Sequence, residues 1–447
     1  MVLDVAIIGG GVAGLTAAIA LRRHPGVRVQ VYEQQSPAFR EIGALIGLSP
    51  NGLRTLEKLG VKGALTDETG WRSPNGVPMC FRHHRTNEVL SQDLNYHVPD
   101  RRHHFARMHR ASLQKALLNE LPADILHVGK RCAGVGVDEN GATVTFEDGT
   151  SVRADLVIGA DGIKSKVRAA FKPVHELSWS GDAIFRTTFP YALVADLPVA
   201  QDSTHYQSPK AWFFGTRIGS DGFGVTCSYH VDTHDPTAKF KDVVWNAPAD
   251  VEDIRPIFRN FYAPIPEIID RIPPGTLRRY ANVAGAALDR WTFENRVILI
   301  GDAAHTHGGA FAAGASLAID DAYTLYLALQ AVFPEAGTAD GSQTASVADI
   351  ARSLDLFEST RRPHAAKVLE KVHAGRAATA LRDEKDHARA TAGTSRTEEE
   401  IDAEFVARFK GRGDPVWLNE HDAEAAFRET LRKKAAEWAG AVSNGSS

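Results

Sequence analysis

Four glycines, at positions 9, 10, 11 and 14, sit between an apolar run and an Ala/Leu-rich run, and no other feature constrains this chain as strongly. Val2 to Ile8 is almost entirely apolar, as expected of a strand covered on both faces. GGGVAG then places Gly9, Gly11 and Gly14 at G-x-G-x-x-G spacing, and a helix is predicted from there to about Arg23. The next extended run, Val27 to Glu33, closes a β-α-β unit and ends on a carboxylate. Gly9 permits the tight turn, Gly11 lets backbone approach a pyrophosphate, and Gly14 lets helix and strand pack closely. The free N–H groups at the helix start, Val12 and Ala13 among them, meet negative phosphates, while Glu33 accepts hydrogen bonds from a ribose. A carboxylate there would repel a 2′-phosphate, so the expected resident is NAD or FAD. The glycines leave those two undecided.

A chain of 447 residues favours two or three substructures sharing more than one core. With 43% apolar and 24% charged residues and a net charge of -4, it reads as an ordinary folded protein. That balance gives no electrostatic reason to expect nucleic acid or an anionic membrane as partner. The apolar opening lacks the basic start of a signal peptide, and no stretch reaches the ~18 uninterrupted apolar residues of a membrane span. Cys80, Cys132 and Cys227 are odd in number and far apart, which fits a reducing compartment, so a cytoplasmic protein is expected. His83, His84, His103 and His104 invite a metal reading. Adjacent histidines on extended chain point to opposite faces, however, and no carboxylate–histidine spacing supports a site, so no metal is expected.

The pattern along the chain is α/β, in four stretches. Residues 1–170 read as the first part of the cofactor-binding region, with a helix over Ser49 to Leu59 and another over Ala111 to Leu121. Residues 171–287 change character: AIFRTTF, AWFFGTRI and GFGVTCSY alternate or carry aromatics and are divided by Gly and Pro, which predicts a largely antiparallel sheet covering the ligand. Residues 288–381 resume the buried-strand signature and continue into helices. Residues 382–447 read as a charged stretch, a solvated helix, a mobile connector or both, followed by a helical extension from about Glu424.

Several separated segments carry a resemblance: EIGALIGLSPNGLRTLEKLG from Glu41, HRASLQKAL from His109, DLVIGADGIKSKVR from Asp155, RVILIGDAAH from Arg296 and WLNEHDAE from Trp417. In this order they resemble the single-component FAD-dependent aromatic hydroxylases of the salicylate and 4-hydroxybenzoate hydroxylase type. The resemblance implies a Rossmann-like FAD-binding fold with an inserted mixed or antiparallel substrate sheet and C-terminal helices. It places Arg40 and Arg110 along a non-covalent FAD, Asp161 and Gly162 around the cofactor, and Asp302 on the ribityl chain. Gly314 and Ala315, opening a helix, would aim backbone donors at the flavin ring.

The activity it implies is monooxygenation of a small phenol or aromatic acid with O₂, through a C4a-hydroperoxyflavin, by a monomer or homodimer. NADH or NADPH would visit transiently, since only one dinucleotide fingerprint is present. Arg186, in the segment GDAIFRTTFP, resembles the family's substrate strand. It would hold a phenolate or ring carboxylate, the alternative being an ion pair across the sheet. Tyr229 and His230 are candidate phenol partners, and His307 a candidate acid–base group. Trp212, Phe213, Phe214 and Phe223 line a flat pocket or pack a core.

The loop after GDAAH departs from the family. Thr306 and Gly309 take two proline places, Ala313 a glutamine place, and Ala310 the place where some salicylate-type relatives have histidine. More backbone freedom is expected there, and salicylate is not the expected substrate. Decarboxylative hydroxylation, oxidative dearomatisation, epoxidation and a non-enzymatic FAD-fold carrier stay open as alternatives.

Overall fold

A computed structural model describes residues 2–35, 45–333 and 346–444. The apolar run Leu3–Ile8 forms the centre of a six-stranded sheet, with Val27–Glu33 and Leu126–Val128 on one side. Leu156–Gly159, Val297–Leu299 and Thr292–Phe293 lie on the other side. All pairings are parallel except that of the edge strand Thr292–Phe293. Helices Val12–Leu21 and Gly314–Val332 pack against one another, and Leu3, Ile7, Val157, Ile298 and Leu329 are fully buried in the core on this sheet. Burial on both faces explains why these strands read as continuous apolar runs.

The second layer is an eight-stranded sheet in the order 247–248, 278–285, 177–190, 222–230, 211–218, 204–207, 79–83, 89–93. It is antiparallel apart from the parallel pair Thr204–Gln207 with Met79–His83. The short strands Met79–His83 and Val89–Asp93, far earlier in the chain, join the sheet predicted for residues 171–287. Alternation divides its residues between two faces. Phe185, Phe213, Phe223, Val225 and Cys227 face a core closed by helices Val251–Phe258 and Pro264–Asp270. Ile184, Arg186, Thr226, Ser228 and Phe214 face the other way, onto a cavity.

Of the alternatives for the charged stretch after Leu381, the helix is found: Val347–Thr391 runs on into it, and a further helix, Glu398–Lys410, follows under a Thr397/Glu400 capping box. Its charges pair. Arg396 binds Asp386 and Glu404, Lys410 binds Glu88, and Arg412 binds Asp93. The last helix spans Ala423–Asn444. All three cysteines are buried and free. Among the described residues no helix is long and apolar enough to cross a membrane.

Candidate cofactor and substrate site

Between the two sheets lies a cavity of about 1730 Å³. Its nucleotide end is the glycine turn. Gly9 has φ +110, and a Cβ there would lie 2.4 Å from the Ala160 carbonyl oxygen; a Cβ on Gly14 would lie 1.9 Å from that of Gly9. No side chain fits either place. At Gly11, by contrast, a Cβ would meet nothing closer than Arg110 Nη2 at 3.9 Å, so here the backbone is left open to a ligand. Gly11 caps helix Val12–Leu21 without a side-chain bond, leaving its first-turn N–H groups for an anion.

Glu33 lines the same end, its Oε2 accepting from Gly10 N at 2.6 Å and its Oε1 from Gln35 N at 2.7 Å. Lone pairs remain on both oxygens for ribose hydroxyls. Arg110 opens helix Arg110–Leu118 on the cavity wall, and Gln114 steadies the turn by donating to the Gly10 carbonyl at 3.1 Å. Arg40 lies outside the described residues.

Asp161 serves two purposes. Its carboxylate accepts from Ser165 Oγ at 2.5 Å, Lys166 N at 2.7 Å and Val167 N at 3.1 Å, and so holds the start of helix Lys166–Phe171 while lining the cavity. Burial pushes its pKa above the usual carboxylate value, against the pull of those donors. Asp302, one step past strand Val297–Leu299, is exposed to the cavity, and its carboxylate has no hydrogen-bond partner among the described residues. Gly314 and Ala315 begin a helix that also lacks a side-chain cap. Helix ends, the glycine turn and an unengaged carboxylate fit an extended diphosphate such as FAD.

The loop between Asp302 and Gly314 separates two histidines by burial partners. His305 Nε2 lies 2.6 Å from Asp321 Oδ2, whose other oxygen receives Arg361 Nε at 2.9 Å, and Trp291 packs on the ring. Burial opposes ionisation of Asp321, but His305 and Arg361 hold its carboxyl well below the ordinary range. His305 is therefore structural. His307 is also buried, yet neither ring nitrogen has a hydrogen-bond partner among the described residues, and it lines the cavity. Desolvation pulls its pKa down to about 4, leaving a neutral imidazole near pH 7. Non-glycine residues Phe311 (φ 58) and Ala312 (φ 51) adopt left-handed backbone in this loop, whereas Gly309 does not (φ -81).

Arg186 projects from strand Leu177–Pro190 into the cavity, where a Cβ on Gly309 would lie 3.3 Å from its Nη2. Its guanidinium lies 5.6 Å from the Tyr280 ring centroid, but it makes no ion pair or hydrogen bond among the described residues. The ion pair across the sheet, the alternative for this residue, is absent there. Desolvation lowers its pKa, with Tyr280 opposing. Tyr229 is a correction: one residue out of phase with the cavity face, it packs against the apolar core behind the sheet and cannot meet a phenol. His230, on the cavity face, is engaged by Asp182 and Asp383, each at 2.7 Å. Burial alone would lower its pKa, but the two carboxylates raise it to about 9. Trp212 and Phe214 line the cavity, while Phe213 and Phe223 belong to the core behind.

Sequence reasoning missed the roof. Arg382, Asp383, Glu404, Phe405, Arg408 and Phe409, all from the charged C-terminal stretch, line the cavity. A faint signal existed in the apolar spacing of Phe405 and Phe409. His83 and His84 do not diverge as alternation along an extended chain predicts: strand Met79–His83 ends between them and their rings lie 4.6 Å apart, near Asp402. His83 Nδ1 faces the N–H groups of Arg85 and Thr86 at 3.3 and 3.1 Å, and its Nε2 lies 3.0 Å from Asp402.

Residues 2–372 match a family described as the FAD binding domain. The chain is 31% identical over 338 residues to a 3-amino-4-hydroxybenzoate 2-monooxygenase of Streptomyces platensis, covering 72% of this chain and 78% of the relative. The chain belongs to the single-component FAD-dependent aromatic hydroxylases. A salicylate hydroxylase of Pseudomonas putida is 28% identical to this family member over 82% of the chain and 83% of the relative. The fold agrees with a salicylate hydroxylase substrate complex, with TM-score 0.71 at 22% identity, covering 96% and 98% of the two chains.

Proposed function

We propose that this FAD-dependent monooxygenase uses NADH or NADPH and O₂ to hydroxylate an anionic phenol or aromatic acid held at Arg186. The observation that carries this reading is a half-buried guanidinium, its Nε fully buried, that faces the cavity beside the loop preceding helix Gly314–Val332 and has no counter-ion among the described residues. An unpaired cation in such a place is costly, and an anionic ligand offsets that cost. FAD held here would supply the redox chemistry that links oxidation of the nicotinamide to insertion of one atom of O₂ into the ring, with the other released as water.

This chain's own residues do the rest. Gly11, Glu33, Arg110 and Asp302 bind the dinucleotide, with Gly314 and Ala315 directing N–H donors at its ring system. Arg186 orients the substrate and stabilises its phenolate, the more nucleophilic form. His307, neutral near pH 7, accepts the phenolic proton at Nε2. The roof helices limit water around the reacting carbon. Relatives named for 3-amino-4-hydroxybenzoate, salicylate and 6-hydroxynicotinate support a ring bearing an acidic group.

The test is NADH and NADPH oxidation by the FAD-loaded protein across a panel of phenolic acids, with product mass. Oxidation stimulated by a phenol, with gain of one oxygen, is expected; loss of CO₂ would mark the decarboxylative variant. FAD-loaded protein that no phenol stimulates would overturn the reading.

A further inference from the structure

The cavity continues well beyond Arg186. Across the eight-stranded sheet Arg186 pairs with Thr226, Thr226 with Phe214, and Phe214 with His205. Neighbouring strands lie about 4.8 Å apart, so Phe214 stands about 10 Å and His205 about 14 Å from Arg186 along the floor. The first step is small and polar, Thr226 with Ser228 beside it. The next is flat and aromatic. Phe214 stacks on His205 at 4.4 Å between centroids, and Trp212 lies 5.1 Å from His205.

His205 stays uncharged, because burial, then Arg107 and Arg412, pull its pKa to about 3. Phe405 and Phe409 of helix Glu398–Lys410 line the same lobe, 4.9 Å apart. Two cations complete it. Arg382 donates only to Thr379 Oγ1, and Arg408 makes no hydrogen bond or ion pair among the described residues.

We propose that this outer lobe is a second substrate subsite, taking the distal ring of a two-ring phenol whose reacting ring lies at Arg186, with an acidic group on the distal ring meeting Arg382 and Arg408. The proposal rests on the aromatic-substrate reading of the inner site and specifies its substrate class. A single ring anchored at Arg186 ends over Thr226 and leaves the aromatic shelf uncovered, whereas two linked rings span both steps. Aromatic faces stack on aromatic ligands, and the carboxylates of the same wall are already engaged, Asp386 and Glu404 by Arg396 and Asp383 by His230, which leaves the two guanidinium groups for an anion. The total volume, about 1730 Å³, also exceeds the ~1,000 Å³ upper end of a site for one drug-sized ligand, which leaves room beside the dinucleotide.

The experiment titrates FAD-loaded protein with 4-hydroxybenzoate, 4-phenylphenol and 4′-hydroxybiphenyl-4-carboxylate, reading the flavin absorbance change and NAD(P)H oxidation. The two-ring acid is expected to bind about tenfold more tightly than either other probe. Phe409→Ala should weaken the two-ring acid more than 4-hydroxybenzoate, and Arg408→Ala should shrink the gap between the two-ring acid and 4-phenylphenol. Arg408 is exposed, so that variant remains informative if Phe409→Ala folds poorly. Equal or tighter binding of the one-ring acid overturns the subsite alone. No response to any probe overturns the inner-site reading, and the subsite with it.

Discussion

At the nucleotide end of the cavity the ligand-facing groups are largely backbone: the turn at Gly9 to Gly11, the open start of helix Val12–Leu21, and Glu33 held by two main-chain N–H groups. At the substrate end they are side chains, brought together by cross-strand register and by helices from the far end of the chain. Backbone geometry demands particular residues at particular spacings, so the first end tolerates almost no substitution. The second end is set by which face a side chain takes, and it can be retuned one residue at a time. Substitutions should therefore separate flavin binding from substrate handling.

The largest effect falls at the nucleotide end. Gly14→Val places atoms where the Gly9 carbonyl already stands, an overpacking that costs about 1–3 kcal/mol or more. Purified protein is expected to lose its bound flavin, read as the ratio of flavin to protein absorbance. Full flavin content would break the comparison. At the substrate end, His307→Asn should keep flavin and lower kcat on the order of 10²-fold, with steady-state rates as the check. An unchanged kcat would remove the proton-accepting role.

Acid sharpens the contrast, because neutral histidines concentrate around the substrate half and the C-terminal helices. Burial pulls His84, His307 and His421 to about 4 and His205 to about 3. The unfolded chain takes up protons near pH 6.5 and the folded one does not, so stability falls as pH drops from about 6.5 toward about 4. Each such histidine contributes about 1.4 kcal/mol per pH step of one in that window. Melting curves at pH 7.5 and 5 should show a lower Tm at pH 5, and an unchanged Tm would contradict the burial of these rings.

The smallest effect concerns the roof. His230, raised to about 9, stabilises the fold below about pH 6.5, and that contribution is lost as pH rises through about 9. Asp383→Asn, which weakens this link between sheet and helix Val347–Thr391, should cost about 1 kcal/mol or less near pH 7. The difference from the parent should shrink above pH 9 in melts run at both values.

The same contrast explains what was legible in the sequence. Gly9 and Gly14 were readable because a tight turn and close helix–strand packing each need glycine at one spacing, and Cβ atoms there would collide with backbone. Asp302 and Gly314 were placed through the family resemblance, and both line the cavity. Tyr229 was misjudged by one residue of register, which turns a side chain to the opposite face of a strand. His307 was named from its place in the loop alone, and its burial, a tertiary property, was not legible there. A helix in the charged stretch was among the sequence alternatives, but its place over the cavity was not legible, because its charges are satisfied by partners hundreds of residues away, Lys410 with Glu88 and His83 with Asp402 among them.

The central claim is that an unpaired guanidinium at Arg186 awaits an anionic aromatic ligand beside the flavin. Titrating 4-hydroxybenzoate into FAD-loaded parent and Arg186→Ala protein, followed by the flavin absorbance change, tests it most directly. The account predicts equal flavin content and a Kd weaker on the order of 10²-fold in the variant. Equal affinity in the two proteins would contradict it.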